Sequence, residues 1–120
     1  MNSSKEFAKI AVAAMEEKKA EEIRIIDIAE VSSIGDYFII ANGNNSSQVH
    51  AIADFVEEKL GKAGLAPKQI EGYQNANWVL MDYGDIIIHV FDKDNRLFYN
   101  LERIWKDGKI MNADDVDFLN

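Results

Sequence analysis

The stretch Trp78-Val79-Leu80-Met81-Asp82-Tyr83-Gly84-Asp85-Ile86-Ile87-Ile88-His89-Val90-Phe91 leaves a chain few ways to fold. Two apolar runs flank Gly84-Asp85, and a dipeptide with Gly at its first position suits a two-residue II′ hairpin turn. That turn sets Tyr83 opposite Ile86, Met81 opposite Ile88 and Val79 opposite Val90, an entirely apolar face. Trp78, Leu80 and Asp82 then share the other face with Ile87, His89 and Phe91. A turn at Tyr83-Gly84 would instead bring Asp82 opposite Asp85, and like charges directly opposite are disfavoured. Both registers give the same two faces. The apolar face is core, and the mixed face is where function is sought.

The segments before the hairpin alternate between helical and extended patterns. Ser3-Ser4-Lys5-Glu6 fits a capping box, and Phe7, Ile10, Ala11, Ala14 and Met15 follow at helical spacing until the charges of Glu16 to Lys19. The β-branched run 23–28 reads as a strand. Ser32, Ser33 and Gly35 mark a turn, and the continuous apolar run 36–41 reads as a central strand. A second helix is expected over 46–63, with Asn45 and Gln48 as a second capping box and a stripe of Val49, Ile52, Ala53, Val56 and Leu60. Gly64, Leu65 and Pro67 are its stop signals.

A short strand over 68–71 and a loop over 72–77 lead into the hairpin. Asp94 or Asn95 can cap a last helix with a stripe of Leu97, Phe98, Leu101, Ile104 and Trp105. The order α-β-β-α-β-β-β-α predicts an α/β fold bordering on α+β, a mixed sheet with helices packed on it. Strands one and two are expected to pair antiparallel, and a strand returning after the second helix to run parallel to strand two. One domain is expected over 1–107, followed by a loosely attached acidic tail over 108–120 from which Ile110, Met111 and Phe118 could dock.

Composition narrows the function. With 21 acidic against 13 basic residues and a net charge of −8, the chain lacks the clustered Lys and Arg that a nucleic-acid backbone demands. The acidity is explained most simply by solubility, and it is also compatible with encounter with a basic protein. The chain has no cysteine, which removes thiol chemistry and favours a cytoplasmic setting. No apolar run reaches the length of a membrane span or resembles a secretory signal.

The motifs of common catalysis are missing. There is no Gly-x-Ser-x-Gly elbow, no phosphate-cradling glycine loop, and the two histidines, His50 and His89, have no partner at metal-ligand spacing. No cofactor is expected. Asp92 and Asp94, with Asp82 or Asp85, could hold Mg²⁺ for nucleotidyl transfer, but turning the chain and capping the last helix explains Asp92 to Asn95 more simply. Asp82 and His89 could form a diagonal cross-strand acid–base pair. With no nucleophile or anion hole beside them, a polar pair orienting a surface patch is the better reading. Trp78 reads equally as core, as an aromatic on a strand more often is, or, among polar neighbours, as an interface anchor.

Asp36-Tyr37-Phe38, Gln48-Val49, Ala51-Ile52-Ala53, Glu71-Gly72, Trp78-Val79-Leu80, Asp82-Tyr83-Gly84-Asp85, His89-Val90-Phe91 and Phe98-Tyr99-Asn100-Leu101-Glu102-Arg103-Ile104-Trp105 together resemble the bacterial ribosomal silencing factor, or iojap, family. The resemblance runs from about Phe7 to Trp105, with departures at Asn100, where the family usually has Asp, and in the loop Gly43-Asn44-Asn45-Ser46. It implies a nucleotidyltransferase-like fold without that superfamily's catalytic signature, hence a protein that is not an enzyme. It also implies binding to the fourteenth protein of the large ribosomal subunit at the subunit-joining face. Such binding keeps the small subunit from associating and represses translation when nutrients are scarce. Organellar relatives take part in ribosome assembly. Carried over by motif position, the binding residues are Trp78, Leu80, Asp82, Tyr83 and His89, although Tyr83 falls on the apolar face of the hairpin. A homodimer is a further implication of the resemblance.

Overall fold

The computed structural model describes residues 4–28, 35–94 and 109–112, the last four by their backbone. Helix α1 (Ser4–Glu17) leads to strands β1 (Glu21–Asp27) and β2 (Tyr37–Gly43), then to helix α2 (Ser46–Lys62). Strands β3 (Gln69–Glu71), β4 (Trp78–Asp82), β5 (Ile86–Asp92) and β6 (Lys109–Asn112) follow. They form one six-stranded mixed sheet in the order β3-β4-β5-β2-β1-β6.

The centre of the sheet is the parallel pair β2 and β5, in register from Tyr37↔Ile86 to Gly43↔Asp92. Every residue of β2 is buried, as is every residue of β5 up to Phe91. Strands covered on both faces must be apolar throughout, which is why both read as continuous runs rather than alternating ones. The strand that returns parallel to β2 is thus the second arm of the hairpin. The first strand after α2, β3, pairs antiparallel with β4 at an edge. β1 lies antiparallel to β2, as expected.

Helix α2 carries its sequence signals into geometry. Asn45 is its N-cap, and its side chain accepts from the Gln48 backbone N–H at 2.8 Å. The Gln48 side chain reaches back one residue further than a capping box requires, accepting from the Asn44 N–H at 2.7 Å. At the other end Gly64 has φ +93, with Leu65 N–H donating to Leu60 O and Gly64 N–H to Gly61 O, a Schellman motif. The buried residues are Val49, Ile52, Ala53, Val56 and Leu60, the five of the expected stripe. The four larger ones contribute about 1.5–3 kcal/mol each on burial, against about 1 kcal/mol for a cap, so packing rather than capping holds the helix.

In α1 the buried set is Ala8, Ala11, Val12, Ala14 and Met15, with Phe7 and Ile10 half-buried against it. Both helices cover the same sheet face, whose core includes Ile25, Ile39, Val79, Met81, Ile88 and Val90. A second cluster of Ile26, Ile28, Phe38, Ile40, Ile87 and Phe91 occupies the opposite face, with Trp78 and Leu80 packed against it.

Two expectations about the C-terminal region meet different outcomes. Lys109–Asn112 lies in the stretch expected to be a loose tail, yet it forms an edge strand paired antiparallel with β1 from Arg24↔Asn112 to Asp27↔Lys109. Its backbone completes a ladder along β1, a reason for order that a composition-based reading does not register. The expected helix with Leu97, Phe98, Leu101, Ile104 and Trp105 falls outside the described residues, as do Ser3, Ser32, Ser33 and Phe118.

Candidate functional site

The hairpin forms in the register that the Gly84-Asp85 turn implies. Val79 pairs with Val90, Met81 with Ile88 and Asp82 with Ile87, and the Tyr83 N–H donates to Ile86 O at 3.0 Å. Gly84 has φ +89, a left-handed conformation that favours glycine. The Asp82 carboxylate accepts from the Gly84 N–H at 2.8 Å, a side-chain turn that stiffens the corner. The turn is buttressed from outside. The Asp85 carbonyl accepts from the N–H groups of Asp36 (2.7 Å) and Tyr37 (3.2 Å). A Cβ on Gly35 would approach the Gly84 carbonyl oxygen to 2.8 Å, so only glycine fits against the turn. The Asp36 side chain in turn accepts from the Ser4 hydroxyl at 2.6 Å, joining α1 to this corner.

On the face away from α1 and α2, cross-strand pairing places Trp78 beside Phe91 and Leu80 beside His89. The Trp78 and Phe91 rings stack with centroids 5.2 Å apart, and Phe38 of β2 meets His89 edge-on at 5.0 Å. The Trp78 indole Nε1–H donates to His89 Nδ1 at 2.9 Å. Indole nitrogen only donates, so Nδ1 is the acceptor and the imidazole proton sits on Nε2. His89 is 3% exposed, and desolvation lowers its pKa to about 4. It is a neutral buried ring that fixes an indole, and its Nε2 is without a hydrogen-bond partner among the described residues.

The five residues expected to bind a partner therefore separate. Trp78, Leu80 and Asp82 are half-buried on one face of β4, at alternate positions about 7 Å apart. His89 lies beneath them as a support. Tyr83 is 5% exposed in the core on the helix side, where burial pushes its hydroxyl up to about 12. Tyr83 is thus removed from the shared surface, because β-strand alternation turns it to the opposite face. The expected Asp82–His89 pair is also replaced. Asp82 is turned to the Gly84 N–H and His89 to the indole.

The carboxylate constellation does not assemble either. Asp85 sits at the turn end of β5 and Asp82 pairs beside Ile87, whereas Asp92 lies at the far end of β5, five to seven residues or roughly 17–23 Å along the strand, with Asp94 just beyond it. No shared Mg²⁺ can bridge that span. Among the described residues, no group of three or more His, Asp or Glu could hold a metal ion. No helix among them is long and apolar enough to cross a membrane.

Sequence reasoning missed Phe38 and Tyr73. Phe38 enters the aromatic group because parallel pairing sets it beside Ile87, two residues before His89 and on the same face of the sheet. Its place opposite Tyr37 in the strand alternation was legible, but its neighbour was not. Tyr73 stacks on His50 across 23 residues of sequence, a distance at which no local pattern operates.

Comparison with known proteins agrees with the motifs. A family model described as "Ribosomal silencing factor during starvation" matches residues 1–120. The ribosomal silencing factor RsfS of Bacillus subtilis is 42% identical over 116 residues, 97% of this chain and 96% of that protein. A mouse protein named "Mitochondrial assembly of ribosomal large subunit protein 1" is 28% identical over 97 residues, 78% of this chain and 42% of its own length. A crystal structure of a Chromobacterium violaceum protein superposes with a TM-score of 0.85 at 33% identity, covering 88% of each chain. One from Bacillus halodurans gives 0.76 at 42% identity, over 83% of this chain and 93% of that one.

Proposed function

This chain belongs to the ribosomal silencing factor family, whose role is ribosome silencing, and we propose that it silences by docking on the large ribosomal subunit as a steric block. The docking surface is the stripe Trp78, Leu80 and Asp82, and the partner is a basic protein of that subunit, the fourteenth, at the face that joins the small subunit. Bulk held there prevents subunit association and represses translation under nutrient limitation. The mechanism needs no turnover and no cofactor, and its setting is cytoplasmic.

The observation that carries this reading is the partly buried Trp78 held by the buried His89 on a hairpin stiffened at its turn. A large aromatic whose rotamer is already restrained loses little freedom on binding. Leu80 extends the apolar contact, and Asp82 adds an acidic end suited to a basic partner. The net charge of −8 favours encounter with such a partner over one with bare nucleic acid. The large-subunit wording in the mouse relative's name and the starvation wording of the family description support the same direction.

The test is co-sedimentation with purified large subunits, together with a light-scattering assay of subunit joining. Trp78→Ala is expected to weaken binding by about 2 kcal/mol or more, roughly thirtyfold, as central aromatic anchors do. A Trp78→Ala protein that bound and blocked joining as well as the parent would sink the proposed surface.

A further inference from the structure

The loop between β3 and β4 is tied to the outside of helix α2 by one side chain. Tyr73 lies over His50 with ring centroids 4.4 Å apart and planes 26° from parallel. His50 Nε2–H donates to the Tyr73 carbonyl oxygen. The Tyr73 hydroxyl donates to Asp54 Oδ1 at 2.8 Å, one helical turn beyond His50. That bond is the first cause of a raised Tyr73 pKa, as expected for a phenol whose proton is held by a carboxylate. Yet Tyr73 is 38% exposed, the one exposed large hydrophobic among the described residues, so burial does not explain its position.

The same loop delivers Trp78. Gly72 stands immediately before Tyr73 with φ +78, and a Cβ there would run into the Trp78 carbonyl oxygen. Ala76 N–H donates to Gly72 O at 3.2 Å, and Ala76 is fully buried with φ +57, so the loop closes on itself. Asn77 O accepts from the Asp92 N–H at 3.1 Å, fastening the loop end to the end of β5. The loop has a closed core and a fixed exit, and Tyr73 is the side chain that anchors its outer part to a rigid helix.

We infer that Tyr73, clamped by His50 and Asp54, is a positioning residue for the docking anchor: it holds the 72–77 loop on α2 and so holds the start of β4, where Trp78 is presented. The inference rests on the docking role proposed above, but the latch itself is a property of the free protein. A surface tyrosine serving only solubility has no need of a carboxylate and an imidazole arranged around it. A tyrosine that sets the approach of Gly72 to Trp78 does.

The experiment reads the latch and the docking separately, in the full chain. Amide exchange is followed at Gln74 to Trp78, and the fluorescence anisotropy of Trp78 is followed in a Trp105→Phe background, which leaves it the sole tryptophan. Tyr73→Ala is expected to speed exchange there about tenfold, the factor a lost charge-assisted hydrogen bond carries. It should also lower Trp78 anisotropy and weaken binding to purified large subunits roughly three- to tenfold. Tyr73→Phe, which keeps the ring stack and lacks the donor, should fall between, and Asp54→Asn, which keeps an acceptor, should retain most of the protection. Unchanged exchange in Tyr73→Ala would overturn the latch. Faster exchange with parent-level binding, while Trp78→Ala loses binding, would overturn the positioning role and leave the docking surface standing. Parent-level binding by Trp78→Ala would overturn the docking role, and with it the consequence for binding, whereas the latch is judged on the exchange rates.

Discussion

Trp78 and His89 form a donor–acceptor pair across the β4–β5 hairpin, indole Nε1–H to imidazole Nδ1 at 2.9 Å, on the diagonal rather than directly opposite. The pair ties a partly buried aromatic to a ring that is itself buried, and it works only while the imidazole is neutral.

Stability should therefore depend on pH through His89. Its folded pKa is about 4 against an ordinary 6.5, so below 6.5 the unfolded chain binds a proton that the folded chain resists. Above 6.5 both states are neutral and His89 adds no pH dependence; as pH falls from 6.5 toward 4 stability declines, by at most roughly 3 kcal/mol from this group. Urea midpoints for the parent and for His89→Gln should diverge between pH 7 and pH 4.5, the variant showing the shallower slope. Parallel slopes would remove His89 from the linkage.

Gly72→Ala should cost about 2–4 kcal/mol, from left-handed backbone strain together with the collision of its Cβ with the Trp78 carbonyl. Denaturant unfolding reads the loss. A change under 1 kcal/mol would show that the loop relaxes away from β4.

Tyr83→Phe discriminates core from surface. The hydroxyl is buried without a partner among the described residues, so its removal should be neutral or stabilising by about 1 kcal/mol. Binding to large subunits should stay at the parent level. A large drop in binding with intact stability would return Tyr83 to the docking surface.

Asn45→Ala should destabilise by about 1 kcal/mol through loss of the α2 cap, read as a lower urea midpoint with an unchanged slope. That is small beside the burial of Val49, Ile52, Val56 and Leu60, so the fold should persist.

What the sequence by itself determined is whatever depends on near neighbours along the chain. The Gly84-Asp85 corner and the alternation around it specified the pairing of Val79 with Val90 and Met81 with Ile88, because turn geometry and strand period are local. The buried stripe, cap and stop of α2 follow from a 3.6-residue period and from Asn45 and Gly64. The tertiary structure alone decided the pairings made at a distance. It chose β5 as the parallel partner of β2, joined Lys109–Asn112 to β1, and brought Phe38 to His89 and Tyr73 to His50. It also divided the expected binding residues, leaving Trp78, Leu80 and Asp82 partly exposed while burying His89 and Tyr83 on opposite faces. Which polar group satisfies which is a matter of geometry within the assembled sheet. The imidazole two residues along the facing strand accepts from the indole while the Asp82 carboxylate accepts from the turn, and no spacing in the chain records that.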